Sequence, residues 1–178
     1  MSVHMRETLK HIANGNAFDE LLPLLVGKVF HVTKEQNWPN ISASGKLLPL
    51  PPEGKHVRTF GTNSYFQQQG CICLFDYRSF YEAKPQKHFD KCLPTMPLTE
   101  DNPLRVLFLN PAYYNKLVSW SQWHENGIST NVVPYIEAGL RGEVPLSFFD
   151  EALIVTITED KNSLAYQLRE ALNRRSNG

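Results

Sequence analysis

The stretch Val29-Phe30-His31-Val32-Thr33 predicts a β-strand. Its β-branched and aromatic residues are typical of a strand, and the two-residue period of a strand places His31 and Thr33 on the same face. The next residues indicate a short helix, because Asn37 is suited to begin one and Gly45 is suited to end it. The sequence therefore predicts a strand that carries two polar side chains on one face and leads directly into a short helix.

Further strands and helices are predicted on both sides of this stretch. Runs of strand length, rich in apolar or β-branched residues, occupy 71–77, 105–109, 132–137 and 151–158. Helical spacing predicts helices within the N-terminal segment 1–26, over 112–127 and over 163–174. Strands and helices alternate without a βαβ rhythm, which favours an α+β fold over a doubly wound sheet.

The bulk composition predicts one globular domain spanning residues 1–178. A chain of 178 residues with 42% hydrophobic side chains is long enough to form a single core. Its 18 basic and 18 acidic residues cancel, which argues against a sequence-independent electrostatic grip on nucleic acid. With no apolar run of about 18 residues and no secretory signal, we expect a cytoplasmic protein without a membrane partner.

The cysteines and histidines leave two other chemistries open. Cys71-x-Cys73 and His88-x-x-x-Cys92 would bind a metal only if the two pairs converged, and no CxxC pair is present. We therefore predict no metal site and reduced cysteines. A thiol hydrolase would need one of three histidines as its base, and nothing in the sequence orders such a pair. These candidates are His31, His88 and His124.

Two pieces of the sequence carry a resemblance to a known family. Phe30-His31-Val32-Thr33, followed by Asn37-Trp38, Ile41 and Gly45-Lys46-Leu47, resembles the opening of ADP-ribosyltransferase-like domains. Those domains begin with a His-x-Thr strand, a short helix, a glycine and a leucine. The segment Ile136-Glu137-Ala138-Gly139-Leu140-Arg141-Gly142-Glu143-Val144-Pro145-Leu146 looks like the end of the DarT-type branch. In that branch a strand-borne catalytic glutamate is followed by a loop and a Val-Pro step.

The resemblance implies a split, bent β-sheet with flanking helices and with NAD lying across the cleft. His31 and Thr33 would then bind ribose hydroxyls and the nicotinamide amide, and Tyr65 would stack on the nicotinamide ring. Arg58 would contact a phosphate. Breaking the bond between nicotinamide and ribose builds oxocarbenium character, so a carboxylate beneath the ribose stabilises the transition state. Glu137 is the residue implied for this role.

The implied activity is NAD-dependent transfer of ADP-ribose to a macromolecular acceptor, protein or nucleic acid, or to water. A toxin or defence component is the kind of protein in which we expect it. Glu143 is a rival carboxylate, although its place in a turn predicts surface exposure. One alternative is a non-catalytic nucleotide- or protein-binding domain on the same fold. Another is an RNA phosphate-transfer enzyme of the same superfamily, which would hold phosphate with Arg58 and Arg78.

Overall fold

The computed structural model describes residues 5–13, 16–49, 59–60, 65–83, 92–124 and 133–176. Its strands are β1 Arg6–Ala13, β2 Val29–Lys34, β3 Lys46–Leu47, β4 Cys71–Asp76, β5 Leu104–Leu109, β6 Val118–Ser119, β7 Glu137–Arg141, β8 Val144–Pro145 and β9 Phe149–Thr158. Its α-helices are α1 Ala17–Leu25, α2 Trp38–Ser44, α3 Tyr65–Gln68, α4 Phe80–Ala83, α5 Trp120–His124 and α6 Leu164–Ser176. Short 3-10 helices lie at Glu35–Asn37, Pro111–Lys116 and Leu146–Phe148.

Seven strands form one bent, mixed sheet in the order β1-β9-β5-β2-β4-β7-β6. Only β1 and β9 are parallel among these pairs, and β3 pairs with β8 in a separate two-stranded sheet. Both faces of the sheet are covered by apolar clusters, one around Phe30 and Phe75 and the other around Leu74 and Leu107. This mixed sheet with flanking helices agrees with the predicted α+β class.

The strand β2 pairs with its two neighbouring strands over different lengths. It pairs with β5 over five positions, from Phe30 to Lys34. On its other side it pairs with β4 at only two positions, Val29 with Asp76 and Phe30 with Phe75. The two strands therefore separate after Phe30, and a gap between β2 and β4 begins there.

The N-terminal helical prediction is wrong for its first part. Residues Arg6–Ala13 form β1, which pairs in parallel with β9, and the first pair, Arg6 with Glu151, is separated by 145 residues of chain. A partner so distant leaves no mark in the local spacing of apolar residues, so the helical pattern was misleading. The second part of the prediction is confirmed by α1, which Asn16 caps by accepting backbone N–H bonds.

The long helix predicted over 112–127 is also wrong in its described part. The chain forms a 3-10 helix, the two-residue strand β6 and the short α5 instead. Its aromatic residues go to different partners, because Tyr113 stacks on Phe148 at 3.8 Å between ring centroids, whereas Trp120 meets Tyr135 at 4.7 Å. The strand predicted over 132–137 is displaced, since β7 begins only at residue 137.

Two other predicted helices are confirmed. The helix α2 ends at Gly45, whose φ of 68° is the left-handed conformation expected of a glycine cap. The helix α6 covers the predicted C-terminal segment, but Leu164 and Leu168 on its apolar face are 71% and 55% exposed. Among the described residues, no helix is both long enough and apolar enough to cross a bilayer.

Candidate functional site

Glu137 is the first residue of β7 and lies opposite Phe75 of β4. Its carboxylate Oε2 accepts a hydrogen bond from the backbone N–H of Val133 at 2.5 Å. Burial raises the pKa of Glu137 from 4.5 to about 7, against the opposing effect of the Val133 hydrogen bond. Near neutral pH the group therefore exists in both forms and is able to accept or donate a proton.

His31 lies at the gap between β2 and β4. Its ring Nδ1 is 2.8 Å from the backbone carbonyl oxygen of Cys73, and because a carbonyl only accepts, Nδ1 carries the proton. In β4 the backbone N–H of Asp76 donates to the carbonyl of Ile136, on the side of β7. The backbone groups of successive strand residues point alternately to the two neighbouring strands, so the carbonyl of Cys73, three residues before Asp76, points toward β2. The imidazole thus occupies the place where the ladder between the two strands would have continued.

His31 and Glu137 begin on opposite faces of the sheet, and Glu137 lies on β7, with β4 between it and the gap. Phe30, Phe75 and Glu137 are cross-strand neighbours on one face, where the first two rings stack at 5.4 Å. His31 alternates with Phe30 and therefore begins on the other face, together with Thr33. The Thr33 side chain has no exposed surface, and its Oγ1 accepts a hydrogen bond from Asn37 Nδ2 at 3.2 Å.

Tyr65 lies on the same side of the sheet as Glu137. It begins α3, and together with Cys73 it packs against a cluster centred on Phe66. The cover is close, because a Cβ added at Gly139 would lie 2.5 Å from Cδ1 of Phe66. The structure thus brings Tyr65, Cys73 and Glu137 to one face of β4 and β7, whereas Arg58 lies outside the described residues.

The thiols near this site are poorly suited to nucleophilic catalysis. Burial raises the pKa of the Cys92 thiol, and the neighbouring Glu137 and Cys73 raise it further. A thiol kept in its neutral form is a weak nucleophile. Within the described ranges, no three His, Cys, Asp or Glu side chains gather as metal ligands. His88 and the side chain of His124 are outside those ranges.

Tyr135 is a site neighbour that the sequence interpretation missed. Its φ of 62° is left-handed, an uncommon conformation for a tyrosine, and its ring packs on Trp120. The residue stands two positions before Glu137, so this strained backbone belongs to the segment that presents the carboxylate. The sequence carries no local signal for it, since left-handed backbone usually selects Gly, Asn or Asp.

The rival charged residues occupy the surface. The Glu143 side chain is 59% exposed and bonds to Lys46 Nζ at 2.6 Å, which confirms the predicted exposure. Arg78 donates two hydrogen bonds to the carboxylate of Asp76, and its guanidinium lies 4.8 Å from the ring centroid of Tyr114. Both residues are engaged in ion pairs, Glu143 with Lys46 and Arg78 with Asp76.

The described site thus consists of Glu137, Cys73 and Tyr65 on one face, with the His31 ring entering at the gap between β2 and β4. Thr33 supports α2 from the buried interior. Because a fold alone does not determine chemistry, the function is best argued from these side chains. Comparison of the chain with protein-family models, with curated proteins and with solved structures finds no match.

Proposed function

We propose that this protein is an NAD-dependent ADP-ribosyltransferase-like enzyme that transfers ADP-ribose to a macromolecular acceptor, with Glu137 as the catalytic carboxylate. One observation carries the proposal: Glu137, a partly buried glutamate whose pKa burial raises to about 7, lies one strand away from the gap that the His31 ring enters. In the part of the chain that the structure describes, no Lys or Arg pairs with Glu137. Burial without a cation is typical of functional rather than structural carboxylates.

The proposed reaction replaces one bond to the ribose of NAD by another. The bond between the nicotinamide nitrogen and C1′ breaks, and its electron pair leaves with neutral nicotinamide. An oxygen or nitrogen of the acceptor then bonds to C1′. Glu137 in its ionised form stabilises the positive charge that develops on the ribose, and it takes the proton that the acceptor loses. A pKa near 7 is matched to this proton transfer at neutral pH.

The remaining residues have binding roles in this proposal. The imidazole of His31, whose Nδ1 donates to the Cys73 carbonyl, would bind a ribose hydroxyl. Tyr65 offers an aromatic surface on the Glu137 face for nicotinamide, and Arg58 would neutralise phosphate. Thr33 is assigned an indirect part, since its buried hydroxyl positions Asn37.

A second candidate function is a nucleotide- or protein-binding domain without turnover. The observation that favours it is the 2.5 Å hydrogen bond between the Val133 N–H and the Glu137 carboxylate. This bond already satisfies one oxygen of the group that catalysis would use. If the loop before β7 held the carboxylate in this position throughout, the site would bind a nucleotide without cleaving it.

The two candidates are separated by calorimetric titration with NAD, followed by an assay of nicotinamide release. We expect the wild type to bind NAD and to release nicotinamide. Glu137→Gln should bind with unchanged affinity and release nicotinamide at least about a hundredfold more slowly, the loss typical of a removed transition-state contact. Glu143→Gln is the matched control, because it removes an exposed carboxylate six residues away and should keep full activity.

Each alternative result has a defined meaning. Binding without release by the wild type would support the domain without turnover. Release that Glu137→Gln leaves intact would contradict the role of Glu137. Absence of binding at millimolar NAD would contradict the proposed function as a whole.

A further inference from the structure

The strand β1 forms one edge of the seven-stranded sheet. It extends over eight residues, Arg6–Ala13, and pairs with β9 along one side only. No described strand lies on its other side. The outer edge therefore presents backbone N–H and C=O groups at which a further strand can add.

This edge has few of the features that usually block strand addition, apart from its charged side chains, Lys10 among them. It is long, it is in register with β9 over its whole length, and it contains neither proline nor glycine. At its middle lies Leu9, whose side chain is 76% exposed, the largest exposed fraction among the exposed large hydrophobic residues of the described chain. A single exposed leucine is common on protein surfaces, so Leu9 matters here because it lies on a strand whose outer backbone groups are open to pairing.

We propose that β1 pairs with β1 of a second copy of this chain, antiparallel, about a twofold axis that runs perpendicular to the sheet beside Leu9. Such an axis keeps each face of the sheet continuous across the junction, so residues of the same face stand opposite one another. Leu9 then meets Leu9 of the second copy. On the same face Glu7 meets His11, and on the other face Thr8 meets Lys10.

Charge selects this register from its neighbours. An axis beside Lys10 would place the two Lys10 side chains directly opposite each other. An axis beside Thr8 would place Arg6 opposite Lys10. Like charges directly opposite in an antiparallel pair are destabilising, whereas the register centred on Leu9 contains none. It also places the Glu7 carboxylate, which is 46% exposed beside Arg105, opposite the exposed imidazole of His11, whose ring nitrogens already contact Thr156 and Thr158.

Sedimentation equilibrium over a range of concentrations tests the association. We expect the wild type to reach twice the monomer mass. Leu9→Lys should raise the dimer dissociation constant by about tenfold, because it places two like charges at the axis. The matched control is Leu164→Lys, an equally drastic change at a leucine of α6 that is 71% exposed and away from β1. This control should associate like the wild type.

Disulfide trapping tests the register independently. Leu9→Cys places two thiols on one face, with Cβ atoms about 5.5 Å or less apart, so oxidised glutathione should link the copies. In the Lys10→Cys dimer each introduced thiol lies opposite Thr8 of the other copy, two residues along the strand from the other introduced thiol. The distance between the two Cα atoms is then greater than the roughly 7 Å that a disulfide spans. The wild type controls for links through Cys71, Cys73 and Cys92.

Three results would overturn the proposal. A wild type that stays monomeric at every concentration would leave the edge to a strand from a different protein. A dimer unaffected by Leu9→Lys, or weakened equally by Leu164→Lys, would place the contact elsewhere. Equal trapping of Leu9→Cys and Lys10→Cys would exclude the register centred on Leu9.

Discussion

Two charged groups of the sheet, the buried Arg105 and the partly buried Glu137, have opposite surroundings. Arg105 is 2% exposed, and its guanidinium donates two hydrogen bonds to Glu35, at 2.7 and 2.8 Å, and one to Glu7 at 2.5 Å. It also stacks on the ring of Trp38, 4.0 Å from the centroid. Glu137 has a single described hydrogen bond, from a backbone N–H, and no described cation beside it.

The difference lies in how far neighbouring groups compensate each charge. Burial lowers the pKa of Arg105, but the hydrogen bonds and charges of Glu35 and Glu7 outweigh it and raise the pKa overall. That network ties β1, the 3-10 helix before α2 and β5 to one another. Glu137 lacks such compensation, so its charged form is destabilised where it lies.

Removing the charge of Arg105, which Glu35 and Glu7 compensate, should have the largest effect on stability. Arg105→Met leaves Glu35 and Glu7 without their cation, and we expect the free energy of unfolding to fall by about 3 to 4 kcal/mol in urea denaturation. The control is Arg169→Met, which breaks a pair with Glu159 of similar geometry at the surface and should change stability by about 1 kcal/mol or less. Similar losses of stability in the two variants would contradict the expectation that the buried ion pairs of Arg105 contribute more than the surface pair of Arg169.

Removing the charge of Glu137, which no described cation compensates, should instead stabilise the protein, and only at higher pH. Glu137 has a pKa of about 7 in the folded state, so the folded protein holds a proton that the unfolded chain loses near pH 4.5. Stability therefore falls as pH rises from about 4.5 to 7 and stays lower above it. Glu137→Gln keeps an acceptor for Val133 and should be more stable than the wild type by up to about 3 kcal/mol at pH 8.

Urea denaturation at pH 5 and pH 8 measures this effect. The gain from Glu137→Gln should be small at pH 5, where the wild-type carboxyl is still protonated in the fold. Glu143→Gln should show no such dependence, because its carboxylate is 59% exposed. A gain that is equal at both values of pH would show that Glu137 is not destabilised by its charge.

The elements that the sequence predicted are those whose signal is local. The strands β2, β4, β5 and β9 each carry a run of apolar or β-branched residues, and α2 is marked by Gly45 at its end. By contrast, β1 becomes a strand only through its pairing with β9. The prediction of a helix over 112–127 was wrong because the aromatic residues of this segment pack on separate elements. The spacing of apolar residues carries no information about such distant partners.

The candidate site residues were chosen from sequence motifs, which carry no information on their geometry. His31 and Glu137 were chosen because the motifs around them resemble those of ADP-ribosyltransferase-like domains. The gap between β2 and β4 depends on where a ladder stops, and the Cys73 carbonyl that holds His31 is a backbone atom. Every residue has such a carbonyl, so no sequence pattern distinguishes this one. The same holds for the left-handed backbone of Tyr135.

The packing above the Glu137 face can be tested at Gly139. A methyl group there would lie 2.5 Å from Phe66 Cδ1 and 3.0 Å from Cys71 Cβ, so Gly139→Ala should destabilise the fold by about 2 kcal/mol. Phe66→Leu should relieve part of this clash, so the double variant should lose less than the sum of the single losses. Additive losses would indicate that Phe66 does not limit the space above Gly139.

The smallest effect concerns Thr33, which the resemblance places on the ligand and the structure places in the interior. Thr33→Val removes the acceptor of the Asn37 hydrogen bond and should reduce stability by about 1 kcal/mol, whereas Thr33→Ser keeps the hydroxyl and should lose less. If Thr33 acts only through Asn37, titration with NAD should give the same affinity for both folded variants. A loss of affinity in Thr33→Val that Thr33→Ser restores would mean that the hydroxyl reaches the ligand, and that the strand turns it toward the gap when NAD binds.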